Sequence, residues 1–459
     1  MNNGNLSLKV RLAIMSFLEF AVWGAYLTSL GSYLYEIGLA SNIGIFYAVQ
    51  GIVSIFMPAI IGAIADRYIP AQKMLSICHL LAGVFMISAG IYAFQAGDSV
   101  EFGPLFTLYT LSVAFFMPTI GLANSVAYTG LSRAGLDTVK HFPPIRVFGT
   151  VGFICMMLFV NFTGYQDSYA QLLTSGTVSL ILSIYALILG PCPVDKTKKG
   201  FSISEVLGWK AFTLFKNKQM AIFFIFSMLL GVSLQITNGF ANPFIKSFRL
   251  IEAFSDTFGA NNANALIAIS QASETLCILL IPFFLRRFGI KIVMLMAMTA
   301  WVLRFGLFGL GNPGSGVVLF ILSMIVYGIA FDFFNVSGSL FVDQKTDPSI
   351  RSSAQGLFML MTNGIGATIG TLGAQAVINR FVPNFEVAEG AKYLTSEQAA
   401  LQIQGWDTSW FIFAGYALIV GVLFALIFKD NQKETITKSE ASDKTGLAAG
   451  GIIDDKDQI

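Results

Sequence analysis

Charge is scarce in this chain: Asp, Glu, Lys and Arg make up 12% of its 459 residues, about half the share usual in a water-soluble domain. Water is therefore not its main solvent. Cysteine and histidine are scarcer still. Cys78, Cys155, Cys192 and Cys277 are scattered without metal-ligand spacing, and only His79 and His141 could assist them. That argues against a disulfide framework or a metal site. No Ser/His/Asp constellation lies in the apolar runs, so nothing points to an enzyme, and no cofactor is called for. The basic residues sit in short loops rather than on one face, so the net charge of +2 does not indicate a nucleic-acid partner.

What the sequence has instead is apolar length. Hydrophobic residues make up 55% of the chain, in runs that match the roughly 20 helical residues needed to cross a hydrocarbon core of about 30 Å. A closed β-barrel is excluded, because its segments are about ten residues long and alternate in polarity. Bounded by charge, Gly, Pro or Asn, the runs lie near 11–35, 42–65, 74–95, 103–130, 144–163 and 170–190, then near 219–244, 263–285, 291–310, 316–340, 353–378 and 408–428. This predicts an all-α integral membrane protein with twelve transmembrane helices in two six-helix bundles, Pro143 and Pro144 opening the fifth helix. Met1 to Leu8 is polar and no small-residue cleavage site follows, so the first run is expected to remain a span.

Orientation follows from the loops. With a cytoplasmic N-terminus, the inside loops collect Lys9, Arg11, Arg67, Lys73, Arg133, Lys140, Lys196, Lys198, Lys199, Arg286, Arg287, Lys291, Lys345 and Arg351, while the outside loops hold only Lys246, Arg249, Arg380 and Lys392. Both termini are expected on the cytoplasmic side. Residues 1–190 would form the first bundle and 219–428 the second. Between them, 191–218 would be a cytoplasmic linker, with an interfacial helix from Ser202 to Phe215 started by a Ser202/Glu205 capping box. The polar tail 429–459 reads as disordered.

Between the second and third spans stands Gly62-Ala-Ile-Ala-Asp66-Arg67, followed by Lys73. It resembles the loop signature of the major facilitator superfamily, in which glycine permits close helix approach while Asp and basic residues pair across cytoplasmic helix ends. An ordinary charged loop is the plainer alternative. The resemblance implies two bundles rocking around a midplane site.

Five ionisable residues fall inside apolar runs: Glu19, Arg146, Glu274, Arg304 and Asp332. A charge at mid-membrane costs about 2.5–3.5 kcal/mol, so each calls for a wet cavity or a partner. Three acids and two bases cannot all be neutralised by pairing, which leaves a carboxyl to carry a proton for part of a cycle. Helical spacing groups further residues around them. Arg146, Thr150 and Phe153 share a face, as do Gln235 with Asn238 and Gln271 with Glu274, while Tyr327 and Phe331 stack with Asp332 beside them. Together they suit a ligand with a planar π face, edge donors and acceptors, and vicinal hydroxyls. Plainer readings exist for each: amides bond helix to helix, aromatics face lipid or neighbours, Glu19 is satisfied by a basic residue or by backbone, and Arg304 is structural.

Longer blocks carry a closer resemblance. Phe142-Pro-Pro-Ile-Arg146-Val-Phe-Gly-Thr150-Val-Gly-Phe153, Phe223-Phe-Ile-Phe-Ser-Met-Leu-Leu-Gly231, Leu234-Gln-Ile-Thr-Asn238, Ser270-Gln-Ala-Ser-Glu274-Thr and Tyr327-Gly-Ile-Ala-Phe331-Asp332-Phe-Phe-Asn335 resemble the bacterial nucleoside:proton symporter family. The resemblance runs from about Leu8 to Phe428. It implies import of purine or pyrimidine nucleosides with protons across the inner membrane by a monomer. On it, Arg146, Thr150, Phe153, Gln235, Asn238, Gln271, Glu274, Tyr327 and Phe331 are the expected binding set, and Asp332 with Arg146 the coupling pair. Glu19 is a departure, since an amide can stand there in the family; the extra carboxyl is a candidate protonatable site. Two other readings stay open: a proton-linked carrier of sugars or another polar metabolite, and a transporter-like nutrient sensor, for whose output domain the tail and linker leave little room.

Overall fold

Hydrocarbon offers backbone amides no hydrogen-bond partner, so a chain this apolar must satisfy them within helices. The computed structural model describes residues 3–192, 209–347, 350–385 and 387–429, and every regular element among them is helical. The first set is α1 (Asn3–Gly24), α2 (Leu30–Glu36), α3 (Ile43–Arg67), α4 (Ala71–Ala96), α5 (Phe102–Arg133), α6 (Thr138–Phe162) and α7 (Ala170–Leu187). The second is α8 (Lys218–Ser247), α9 (Ala263–Leu310), α10 (Val317–Lys345), α11 (Arg351–Met359), a π-helical stretch Leu360–Gly366, α12 (Ala367–Phe381) and α13 (Ser396–Ile427). Nine helices among the described residues are long and apolar enough to cross a membrane. α1, diluted by Lys9, Arg11 and Glu19, stands outside that count, and so does α9, which Gly289 breaks at φ 77° and ψ 169°.

Polarity is distributed inside out. Ile184, Leu279, Phe283 and Leu426 are more than 60% exposed, whereas Glu19, His79, Asn242, Asn264, Arg304 and Asp332 are buried. Side chains that suit lipid line the outside, and groups that need partners find them within.

Each set packs mainly on itself, and the two meet where α3 touches α12 and the π stretch, α6 touches α9, and α2 touches α8. Hydrogen bonds across this seam cluster at the end opposite Asn3. Thr28 donates to Asn264 Oδ1 at 2.9 Å, Ser32 bonds Asn242, Asn161 donates to Asn262 Oδ1 at 2.9 Å, and Gln375 Oε1 accepts from the Gly44 amide at 2.6 Å. Asp167, between α6 and α7, pairs with Lys246 and with Arg249 at 3.0 Å.

Two local expectations need correction. α6 starts at Thr138, so Pro143 and Pro144 lie inside it rather than opening it; each ring forgoes one backbone bond in the second turn of the helix. Among the described residues, nothing lies within 4 Å of where a Cβ on Gly62 would stand. The side chains of Asp66 and Arg67 lie outside the described residues. In the linker, Trp209–Lys216 is a 3-10 helix that packs inward, with Ala211 buried and Phe215 5.5 Å from Phe224. The Ser202–Gly208 part of the expected interfacial helix and the tail beyond Lys429 lie outside the described residues.

Candidate functional site

Two turns of α6 make the first wall. Gly149 sits between Arg146 and Phe153 and leaves room for Phe20 of α1, over whose ring the Arg146 guanidinium lies at 3.8 Å. A cation seated on a π face keeps its hydrogen-bond donors free. Phe153 stands edge-on to Trp23, with centroids 6.5 Å apart and planes at 87°, and Trp23 Nε1 donates to Gln50 Oε1 at 3.3 Å. Thr150 is half-buried on the same face.

The second set supplies the opposing walls. On α8, Asn238 Nδ2 donates to Gln235 Oε1 at 3.2 Å, which leaves each amide a second polar atom to offer. On α10, Gly328 presses against α9, since a Cβ there would come within 2.6 Å of the Ser273 carbonyl oxygen. That approach sets Tyr327 on α10 against the helix that carries Gln271. Tyr327 and Phe331 stack with centroids 5.8 Å apart and planes at 4°. Behind Tyr327 the Arg304 guanidinium lies 4.5 Å from the ring centroid and donates to the Ser323 carbonyl at 2.8 Å and to Ser270 Oγ at 3.4 Å. Arg304 thus takes the structural place expected as its plainer reading.

Charge links the walls. α9, which carries Glu274, packs against both α6, which carries Arg146, and α10, which carries Asp332. Arg146, Glu274 and Asp332 make no ion pair within 4.0 Å with any described residue. None of the three is neutralised by direct contact with another, so each keeps hydrogen-bonding capacity to offer a ligand. The acidic neighbour of Arg146 across the seam is Glu274, not Asp332, because α6 packs on α9. Asp332 is 4% exposed, and its Oδ2 has no hydrogen-bond partner among the described residues. At 1.5 Å per residue, Gln271 and Glu274 lie roughly 10 and 15 Å along α9 from the seam residue Asn264, which is about half the thickness of a hydrocarbon core. A separate cavity of about 590 Å³ lies at the far end, lined by Tyr35, Glu36, Asp167, Lys246, Arg249 and Tyr393 among others.

Glu19 is held elsewhere. Its Oε1 accepts from Thr119 Oγ1 at 2.6 Å, and its Oε2 is joined to His79 Nε2 at 2.8 Å. The partner is a histidine, His79, from α4. An imidazole within the apolar run 74–95 was itself the signal, since any ionisable group there needs a reason. Phe20 and Trp23, which buttress Arg146 and Phe153, had no signal of their own among 43 phenylalanines and 5 tryptophans.

Comparison with known proteins adds to this geometry. The family model described as nucleoside H+ symporter matches residues 6–433. The xanthosine permease of Escherichia coli (strain K12) is 45% identical over 439 residues, covering 95% of this chain and 99% of the relative. Nucleoside permease NupG of the same organism is 43% identical over 427 residues, covering 92% and 96%. A crystal structure of nucleoside transporter NupG superposes with a TM-score of 0.80 at 43% identity, covering 94% of this chain and 100% of that one.

Proposed function

We propose, since the chain belongs to the nucleoside H+ symporter family, that it imports nucleosides together with protons across the bacterial inner membrane by alternating access. The nine apolar helices, α1 with α2, and the arms of α9 on either side of Gly289 make twelve spans. An even number leaves both termini on one side, and the loop lysines and arginines make that side cytoplasmic. Residues 1–190 and 219–428 are then the rocking bundles and 191–218 their linker, with Gly62, Asp66 and Arg67 gating the cytoplasmic end. One copy contains every group named, in keeping with a monomer.

The observation that carries this reading is the place of Glu274 on α9, the helix that packs against both α6 with Arg146 and α10 with Asp332. Arg146 compensates one carboxylate, and a proton compensates the other. In this scheme Asp332 takes its proton from the periplasmic side and leaves Glu274 to Arg146 and the substrate. Loaded in this way, the carrier has no unbalanced charge to move through a closing seam. The base stacks between Phe153 and the Tyr327–Phe331 pair, Gln235 and Asn238 take its edge, and Glu274 with Gln271 holds the ribose hydroxyls beside Thr150.

Uptake of radiolabelled uridine, adenosine and xanthosine into energised vesicles tests it. Wild-type protein is expected to accumulate nucleoside above equilibrium until a protonophore is added. Asp332→Asn is expected to bind uridine yet stop at the equilibrium level. Wild-type accumulation by that variant would remove Asp332 from the scheme, and indifference to every nucleoside would remove the substrate class.

A further inference from the structure

Ser179 of α7 fixes the hydrogen count at His79. Its hydroxyl donates to the His79 carbonyl oxygen at 2.9 Å, and the same Oγ lies 2.9 Å from His79 Nδ1. A serine has one hydrogen to give, so Nδ1 carries the proton of the second bond. Across the ring, Nε2 stands 2.8 Å from Glu19 Oε2, a separation that requires a hydrogen between them. Either atom can own it. Imidazolium with carboxylate, and Nδ1–H imidazole with carboxylic acid, amount to the same thing: one shared proton and no net charge. Without that proton a nitrogen lone pair would face a carboxylate in a site where the two side chains are 0% and 1% exposed, with no solvent to separate them. Thr119 tolerates both forms, since its hydroxyl can turn to Glu19 Oε1 or to the Phe116 carbonyl, each at 2.6 Å.

We propose that His79 holds one proton on the His79–Glu19 pair throughout the transport cycle, so that Glu19 faces Arg146 as part of a neutral unit and the Arg146 charge is left for Glu274 and the substrate. His79 is then a positioning residue, and the inference rests on the roles given above to Arg146 and Glu274. Among the described residues, the titratable groups facing the pair are Arg146 from α6 and Cys78 from α4. α5 and α7 bring the hydroxyls of Thr119 and Ser179, and Phe116 closes over the imidazole at 6.1 Å. Remove the imidazole alone, and a buried carboxylate competes with Glu274 for the same guanidinium.

The chain has two histidines, so isotope-labelled histidine in a His141→Gln background reports on His79 alone. In full-length protein in nanodiscs, the ring-nitrogen resonances are expected to stay constant from about pH 5.5 to about pH 8.5, with and without uridine. Uridine uptake is expected to fall by at least about tenfold in His79→Gln, where a buried charge loses its partner, and to recover most of that loss when Glu19→Gln is added. Titration of the ring in this range, loss of its proton when uridine binds, or a double variant no better than His79→Gln would each overturn the proposal. If His79→Gln does not fold, the resonances decide the matter in the histidine-bearing protein. A wild-type chain that neither binds nor accumulates uridine would strike the nucleoside reading instead, and the ring titration would still judge the proton.

Discussion

Tyr327 answers to three neighbours at once. Phe331 stacks on it one helical turn away, Trp301 meets it edge-on, and Arg304 lies beneath its ring. Arg304 is 2% exposed and makes no ion pair within 4.0 Å with a described residue. The rings of Tyr327 and Phe308 and the Ser323 carbonyl hold it instead, an arrangement suited to a planar guanidinium and not to an ammonium. The exposed partner in this stack is Phe331, half-buried where Tyr327 is buried. Phe331→Ala removes a stacking surface contributing about 1 kcal/mol, so the Kd for uridine should rise roughly fivefold. Titration calorimetry checks this, and an unchanged Kd would mean that the base stacks elsewhere.

Among the elements, α1 and α6 set the geometry of the first wall. A Cβ on Gly152 would overlap the Phe17 carbonyl, and one on Gly24 would overlap the Phe153 backbone. Backbone cannot swing aside as a side-chain tip can, so the two helices lie together at both glycines. Arg146 and Phe153 ride on α6, and Phe20, Trp23 and Glu19 ride on α1. Gly152→Ala should therefore lower stability by about 1–3 kcal/mol and weaken uridine uptake at the same time. Gly121→Ala, where a Cβ meets nothing within 4 Å, serves as the control. Equal melting temperatures for the two variants would show that α1 and α6 do not meet so closely.

For the whole molecule, the seam opposite the termini is the part that must come apart if the site is to open there. Asp167 stands between Lys246 and Arg249 and ties the first set to the second. Asp167→Asn removes the carboxylate that pairs with both Lys246 and Arg249 and weakens the closed seam by about 1 kcal/mol, roughly a fivefold shift in population. Ser32, 2% exposed beside Asn242, is the reporter. In a Cys155→Ser background, a thiol placed by Ser32→Cys should react severalfold faster with a membrane-impermeant maleimide when Asp167→Asn is present. An unaltered rate would exclude Asp167 as a latch.

The linear order of residues determined that this chain lives in lipid, that it is helical, and that Glu19, Arg146, Glu274, Arg304 and Asp332 needed an explanation. Those conclusions follow from local composition, because hydrocarbon penalises every exposed backbone group and charge in the same way wherever it stands. Spacing also placed Arg146 with Thr150 and Phe153, and Tyr327 with Phe331, since residues about one turn apart share a helix face. Which faces meet was left to the tertiary structure. The rotation and depth of each helix depend on close contacts between distant residues, such as Gly149 with Phe20 and Gly328 with Ser273. Through them Glu274 rather than Asp332 confronts Arg146, and a histidine in α4 takes Glu19 out of the reach of a simple charge count.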